Sequence, residues 1–200
     1  MKRVFLIGAV IAGLLSGASS AQETGETAHV PLENPAELSQ AQANAIYDEL
    51  KARLDALYAP ANLELIKEYQ SWKRYNSAPY ISATHGQRYV NNFVNDIGKD
   101  YGKLKSGEVY PAGTVIAKDS ITVTDDGKQF PGAMFVMEKL AAGTSPATAD
   151  WRYVMVIPDG SIFGDTVGSE PELVEYCHVC HEAVADNDYV FYIPEDYRID

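Results

Sequence analysis

Cysteine is nearly absent from this chain, with two residues in 200, Cys177 and Cys180. A disulfide framework is therefore excluded, and one bridge between these two would close too short a loop to stabilise much. A four-ligand structural zinc site lacks its second Cys/His pair. A thioredoxin-type redox pair follows a strand in a βαβ unit, and no such unit precedes these cysteines. Basic residues are also scarce, 16 Lys and Arg against 28 Asp and Glu, for a net charge of −12. A body this acidic repels nucleic acid and anionic membranes, so neither is an expected partner, although it could steer towards a basic protein. The one extended apolar run, Val4 to Leu15, is too short to cross a bilayer. No methionine follows Met155.

What is present is concentrated near the end: Cys177-His178-Val179-Cys180-His181, which carries both cysteines and two of the four histidines. Two thiols three apart, followed directly by His, form the attachment pattern of a c-type haem. Each thiol adds across one vinyl group, and a turn of helix sets both sulfurs on one edge of the ring. His181 then lies under the iron as its ligand, with His178 read as a spacer. One haem c, held through Cys177 and Cys180, is the expected cofactor.

The first residues support export. Met1-Lys2-Arg3, the apolar run and the small residues Ser16 to Ala21 read as a secretory signal peptide over 1–21, with Gln22 as the first mature residue. Removing Lys2 and Arg3 takes the net charge from −12 to −14. A periplasmic location agrees with covalent haem. Residues 22–33, with His29, read as a polar leader, and 34–200 as one haem-binding domain.

Along that domain the spacing predicts a helix capped by Asn34 with Pro35 first, presenting Leu38, Ala41, Ala45, Leu50, Leu54 and Leu57. A shorter helix from Asn62 carries Leu63, Ile66, Tyr69 and Trp72. A third, capped by Ser82 or Thr84, runs to Ile97 on a stripe of Tyr89, Phe93, Val90 and Val94. It places His85 and Arg88 one turn apart, either facing one pocket or solvated, with Arg88 suited to a haem propionate. From residue 110 the texture turns to β, and three strands are predicted, 113–118 continued by 121–124, then 133–140 and 151–157, joined antiparallel, with 164–169 as a loop. Pro171 starts the helix bearing the haem motif, and 189–193 form a last short strand. The fold class is α+β: N-terminal helices, then an antiparallel β-sheet that walls a haem pocket, then the C-terminal helix with the motif. No residue after His181 is Met, so the iron is expected to be five-coordinate and open to a small molecule. Met134, Met137 and Met155 are alternative sixth ligands or simply core residues.

Five stretches taken in order carry a resemblance: HGQRYVNNFVN (85–95), YPAGTVIAKDS (110–120), AMFVMEK (133–139), WRYVMVIPDGSIFG (151–164) and YCHVCHEAVADNDYVF (176–191). Together they resemble the cytochrome P-460 family, which includes the cytochromes c′-beta. The resemblance implies a β-rich, often dimeric fold with one five-coordinate haem c and the motif His as proximal ligand. It implies one of two activities. Members named for the family oxidise hydroxylamine and join a Lys side chain to the haem edge. The c′-beta members lack that bond and bind nitric oxide, carbon monoxide or similar gases in an apolar pocket; plain electron transfer to a redox partner is a third possibility. Lys118 is the candidate cross-linking residue, with Lys103, Lys105 and Lys139 as competitors. Glu170 is the first candidate for a distal carboxylate, ahead of Glu172 and Glu175, all three being equally explicable as charge favouring a helix N-terminus. The candidate catalytic set is thus Lys118, Glu170, Arg88 and His85.

Overall fold

The computed structural model describes residues 31–199. The signal peptide, His29 and most of the leader lie outside the described residues. Eight strands form one sheet: β1 (Lys73–Arg74), β2 (Tyr80–Ser82), β3 (Arg88–Val94), β4 (Val115–Val123), β5 (Gln129–Pro131), β6 (Met134–Lys139), β7 (Trp151–Val156) and β8 (Ile162–Asp165). Every pairing is antiparallel. The order is β1-β3-β4-β6-β7-β8, with β2 also on β3 and β5 also on β4. Helix α1 (Gln40–Tyr58) covers one face, and helix α2 (Glu175–His181) with the C-terminal segment covers the other. The architecture is α+β, as expected.

Period-two alternation divides β4 between these layers. Val115, Ala117, Ile121 and Val123 join α1 through Ala43, Tyr47, Leu54 and Tyr58. Ile116 faces the other way, towards Val90, Met137, Tyr153, Val190 and Ile193. Leu54 is fully buried, which contributes about 2 kcal/mol.

Several predicted elements differ. The first helix starts at Gln40, where Ser39 and Gln42 form a capping box. Asn34 and Ala36 are held instead at the sheet edge, the Asn34 carbonyl accepting from Asp125 N at 3.0 Å and Ala36 N donating to the Val123 carbonyl at 2.9 Å. Ala41 and Ala45 are exposed, because the buried face is the one carrying Tyr47, whose hydroxyl reaches Asp119 at 2.7 Å. In place of the second helix there are isolated 3-10 turns, Ala59–Ala61, Glu64–Ile66 and Tyr69–Ser71. The third predicted helix is a correction of type: residues 88–94 are the central strand β3, buried along its whole length. The segment 189–193 forms no strand, since Asp188 and Tyr189 both adopt left-handed backbone angles (φ 51° and 63°) that turn the chain. Strand β8 occupies residues 162–165, where the turn residues of 158–169 favour loop. Among the described residues no helix is long and apolar enough to cross a membrane.

Candidate functional site

Between the sheet and α2 lies a cavity open to solvent, the kind of concave site in which small molecules and cofactors bind. Its sheet wall is Asn92, Ile116, Lys118, Phe135, Val136, Met137, Tyr153 and Val154. Opposite stand Tyr176, Cys177, Cys180 and His181 from α2, followed by Val190 and Phe191. Thr84, His85 and Tyr101 complete it. Residues far apart in sequence thus converge because the chain crosses back over the sheet after α2.

Helix α2 is short and begins after the 3-10 turn Pro171–Leu173, so the predicted start at Pro171 is one turn early for α-helix. Its spacing turns Cys177, Cys180 and His181 towards the cavity. Both thiols are free; Cys180 is exposed, whereas burial pushes the Cys177 thiol up to about 12. His181 is buried, with Tyr153 and Phe191 edge-on to its ring at 5.4 and 5.3 Å. Its Nδ1 lies 2.6 Å from the Tyr189 carbonyl. A carbonyl only accepts, so Nδ1 carries the proton and Nε2 keeps its lone pair. Burial lowers the His181 pKa to about 4, the Tyr189 bond opposing this and Lys118 adding to it. The imidazole is therefore neutral at ordinary pH, the form in which it binds a metal. A neutral imidazole with one nitrogen committed and two reduced thiols on the same helix, all three lining one cavity, fit a haem.

Lys118 projects from β4 into the same space, between its register partners Asn92 and Phe135. Among the described residues its ammonium has no hydrogen-bond or ion-pair partner, and burial lowers its pKa to about 8. The competing lysines are elsewhere. Lys103 and Lys105 are exposed, and Lys139 is buried in an ion pair with Asp188 at 2.6 Å. His85 borders the cavity with its ring against Phe135 (centroids 4.6 Å apart) and its Nδ1 2.8 Å from Ser82 Oγ. Arg88 and Glu170 do not line it. Arg88 is buried on β3 and donates to the carbonyls of Gly86 (3.1 Å) and His85 (3.5 Å), so it braces the turn that carries His85. Glu170 is exposed, and Glu172 and Glu175 are likewise on the surface. Of the three candidate methionines only Met137 borders the cavity; Met134 and Met155 are fully buried in the core.

Sequence reasoning passed over Thr84, Asn92, Tyr101, Tyr153, Tyr176 and Phe191 as lining residues. Asn92 carried a readable signal, a polar residue inside an apolar stripe; Tyr101 donates 3.1 Å to the Phe191 carbonyl and accepts from Asn92 at 2.8 Å.

The model of one family, Cytochrome P460, matches residues 66–192. The chain belongs to that family and is a haem-iron protein of the c-type cytochrome kind. The match begins after α1 and covers the whole sheet, the cavity wall and α2. No curated protein matches the chain.

Proposed function

We propose that this chain is an exported, periplasmic cytochrome in which Cys177 and Cys180 attach one haem and His181 ligates its iron, for the oxidation of hydroxylamine or nitric oxide. The observation that carries the reading is Lys118, a lysine turned into a cavity that, among the described residues, offers it no anion. An amine so placed is costly to keep charged. With its pKa lowered to about 8, a sizeable fraction is neutral and nucleophilic near physiological pH. The resemblance gives such a lysine its use, a covalent bond to the haem edge.

When bound, the haem iron supplies a position at which a small nitrogen compound is held and oxidised, its electrons leaving to a redox partner protein. Oxidising hydroxylamine also releases protons, and a group beside the substrate must take them. With Glu170 outside the cavity lining, His85 is the residue placed for that task, its ring oriented by Ser82, Thr84 and Phe135. Ile116, Phe135 and Met137 keep the surroundings apolar.

That apolar lining, without a carboxylate among the described residues, also favours the second reading, a c′-beta-type protein that binds nitric oxide or carbon monoxide without turnover. One experiment separates the two. In the purified holoprotein, a ferrous Soret band far to the red together with a peptide joining Lys118 to the haem peptide supports the enzyme. An ordinary high-spin spectrum with Lys118 recovered unmodified favours gas binding, and a six-coordinate low-spin spectrum in both oxidation states points to electron transfer through Met137. Export is tested on the same preparation, periplasmic protein beginning at Gln22 being expected, and sedimentation tests the homodimer.

A further inference from the structure

The His181 ring is aimed by a carbonyl, and that carbonyl is aimed by residues remote in sequence. After α2 the chain runs through the 3-10 segment Glu182–Asn187 and turns at Asp188 and Tyr189, both left-handed although neither is glycine. Asp188 is 4 % exposed, and each of its polar groups is taken. One carboxylate oxygen meets Lys139 Nζ at 2.6 Å, the other accepts from Tyr110 N at 2.8 Å, and the Asp188 carbonyl accepts from the Trp151 indole at 2.8 Å. Lys139 and Trp151 are themselves register partners on β6 and β7, with the ammonium 5.0 Å from the indole ring centroid. The next carbonyl along, that of Tyr189, is the one that meets His181 Nδ1 at 2.6 Å.

We infer that Lys139, Trp151 and Asp188 are positioning residues for the proximal ligand: they pin the Asp188–Tyr189 turn to the sheet so that the Tyr189 carbonyl holds His181 and sets the donor strength of its Nε2. This rests on the reading of His181 as the iron ligand. Stability alone does not account for the unit, because a buried ion pair contributes little over an apolar pair of the same size. What the pair and the Trp151 indole do supply is a fixed point on the adjacent strands β6 and β7, from which a left-handed turn can be held. A strong hydrogen bond from Nδ1–H pushes electron density to Nε2 and raises ligand basicity, an effect that second-sphere partners exert generally. His178 stacks on the Tyr189 ring at 5.1 Å and so packs against the same turn.

The test uses the holoprotein and two variants. Trp151→Phe removes the indole donor and keeps an aromatic ring. The double variant Lys139→Met with Asp188→Asn removes the pair without leaving a lone buried charge. In ferrous protein the iron–histidine stretching band should move to lower wavenumber in both, and the reduction potential should shift upward, since a weaker donor stabilises the ferric iron less. A purely structural role would lower the melting temperature and leave band and potential where they are; that result in both folded variants overturns the proposal. If the wild-type ferrous protein is five-coordinate and high-spin yet shows no iron–histidine band, the ligand reading itself falls, and the proposal with it.

Discussion

Lys118 and Asp119 are neighbours on β4 and point to opposite faces of one sheet. Asp119 is completely buried against α1 and is met by three donors, Tyr47 and Tyr69 through their hydroxyls at 2.7 and 3.2 Å and Asn91 at 3.0 Å. Lys118 faces the cavity and, among the described residues, is met by none. Burial moves both, raising the Asp119 carboxyl to about 6 and lowering the Lys118 amine to about 8. The difference lies in the compensation. A polar group enclosed by its own partners is part of the structure, whereas one left open into a cavity marks a place where something else is expected. The same contrast separates Lys139, closed in its ion pair with Asp188, from Lys118.

The comparison can be broken by mutation. Asp119→Ala should cost the most, about 3 kcal/mol in urea unfolding, because it strands three buried donors and leaves a void. A loss below about 1 kcal/mol would show that the network is not structural. Tyr47→Phe removes one of the three donors and should cost about 1 kcal/mol by the same measurement. Lys118→Met should behave oppositely. In the haem-free chain it should raise stability by about 1 kcal/mol below pH 8, and in the holoprotein the Lys–haem peptide should vanish. Loss of stability on that substitution would mean that Lys118 has a structural partner after all.

The smallest effects concern pH and have opposite signs. The Asp119 carboxyl keeps its proton up to about 6 in the fold against an ordinary 3.8, so the folded state binds more protons between those values. Stability relative to Asp119→Asn should therefore fall as pH rises from about 4 to 6. The Lys118 amine gives up its proton near 8 in the fold against 10.5, so the unfolded chain binds more. Stability of the haem-free chain relative to Lys118→Met should rise between about 8 and 10.5. Two slopes of the same sign in chemical denaturation series would contradict the contrast between the faces.

The central strand β3 shows how the sequence misleads. Tyr89 with Phe93 and Val90 with Val94 are four residues apart, which suits one face of a helix and equally one face of a strand. Because β3 is buried on both sides, no polar alternation broke the tie. A helix over these residues would put Asn91 and Asn92 beside its apolar stripe. In the fold Asn91 points to Asp119, and Asn92 is held in the cavity wall by Tyr80 and Tyr101. The strands at 115–123, 134–139 and 151–156 were legible from their β-branched and aromatic runs. At the other end of the chain, 189–193 was equally rich in such residues and forms no strand, because Asp188 is tied to Lys139, Tyr110 and Trp151.

By itself the sequence determined the haem motif, the proximal histidine expected within it, the acidic character of the chain and the presence of an antiparallel sheet, since each is written in local spacing or composition. The tertiary structure alone decided that Lys118 opens into the cavity while Asp119 is sealed behind it, that His85 borders that cavity while Arg88 and Glu170 do not, and that Lys139 is spent on Asp188. Orientation along a strand reverses at every residue, and partners for a buried charge come from elements remote in the chain. Neither can be read until the strands are registered and the chain has folded back over them.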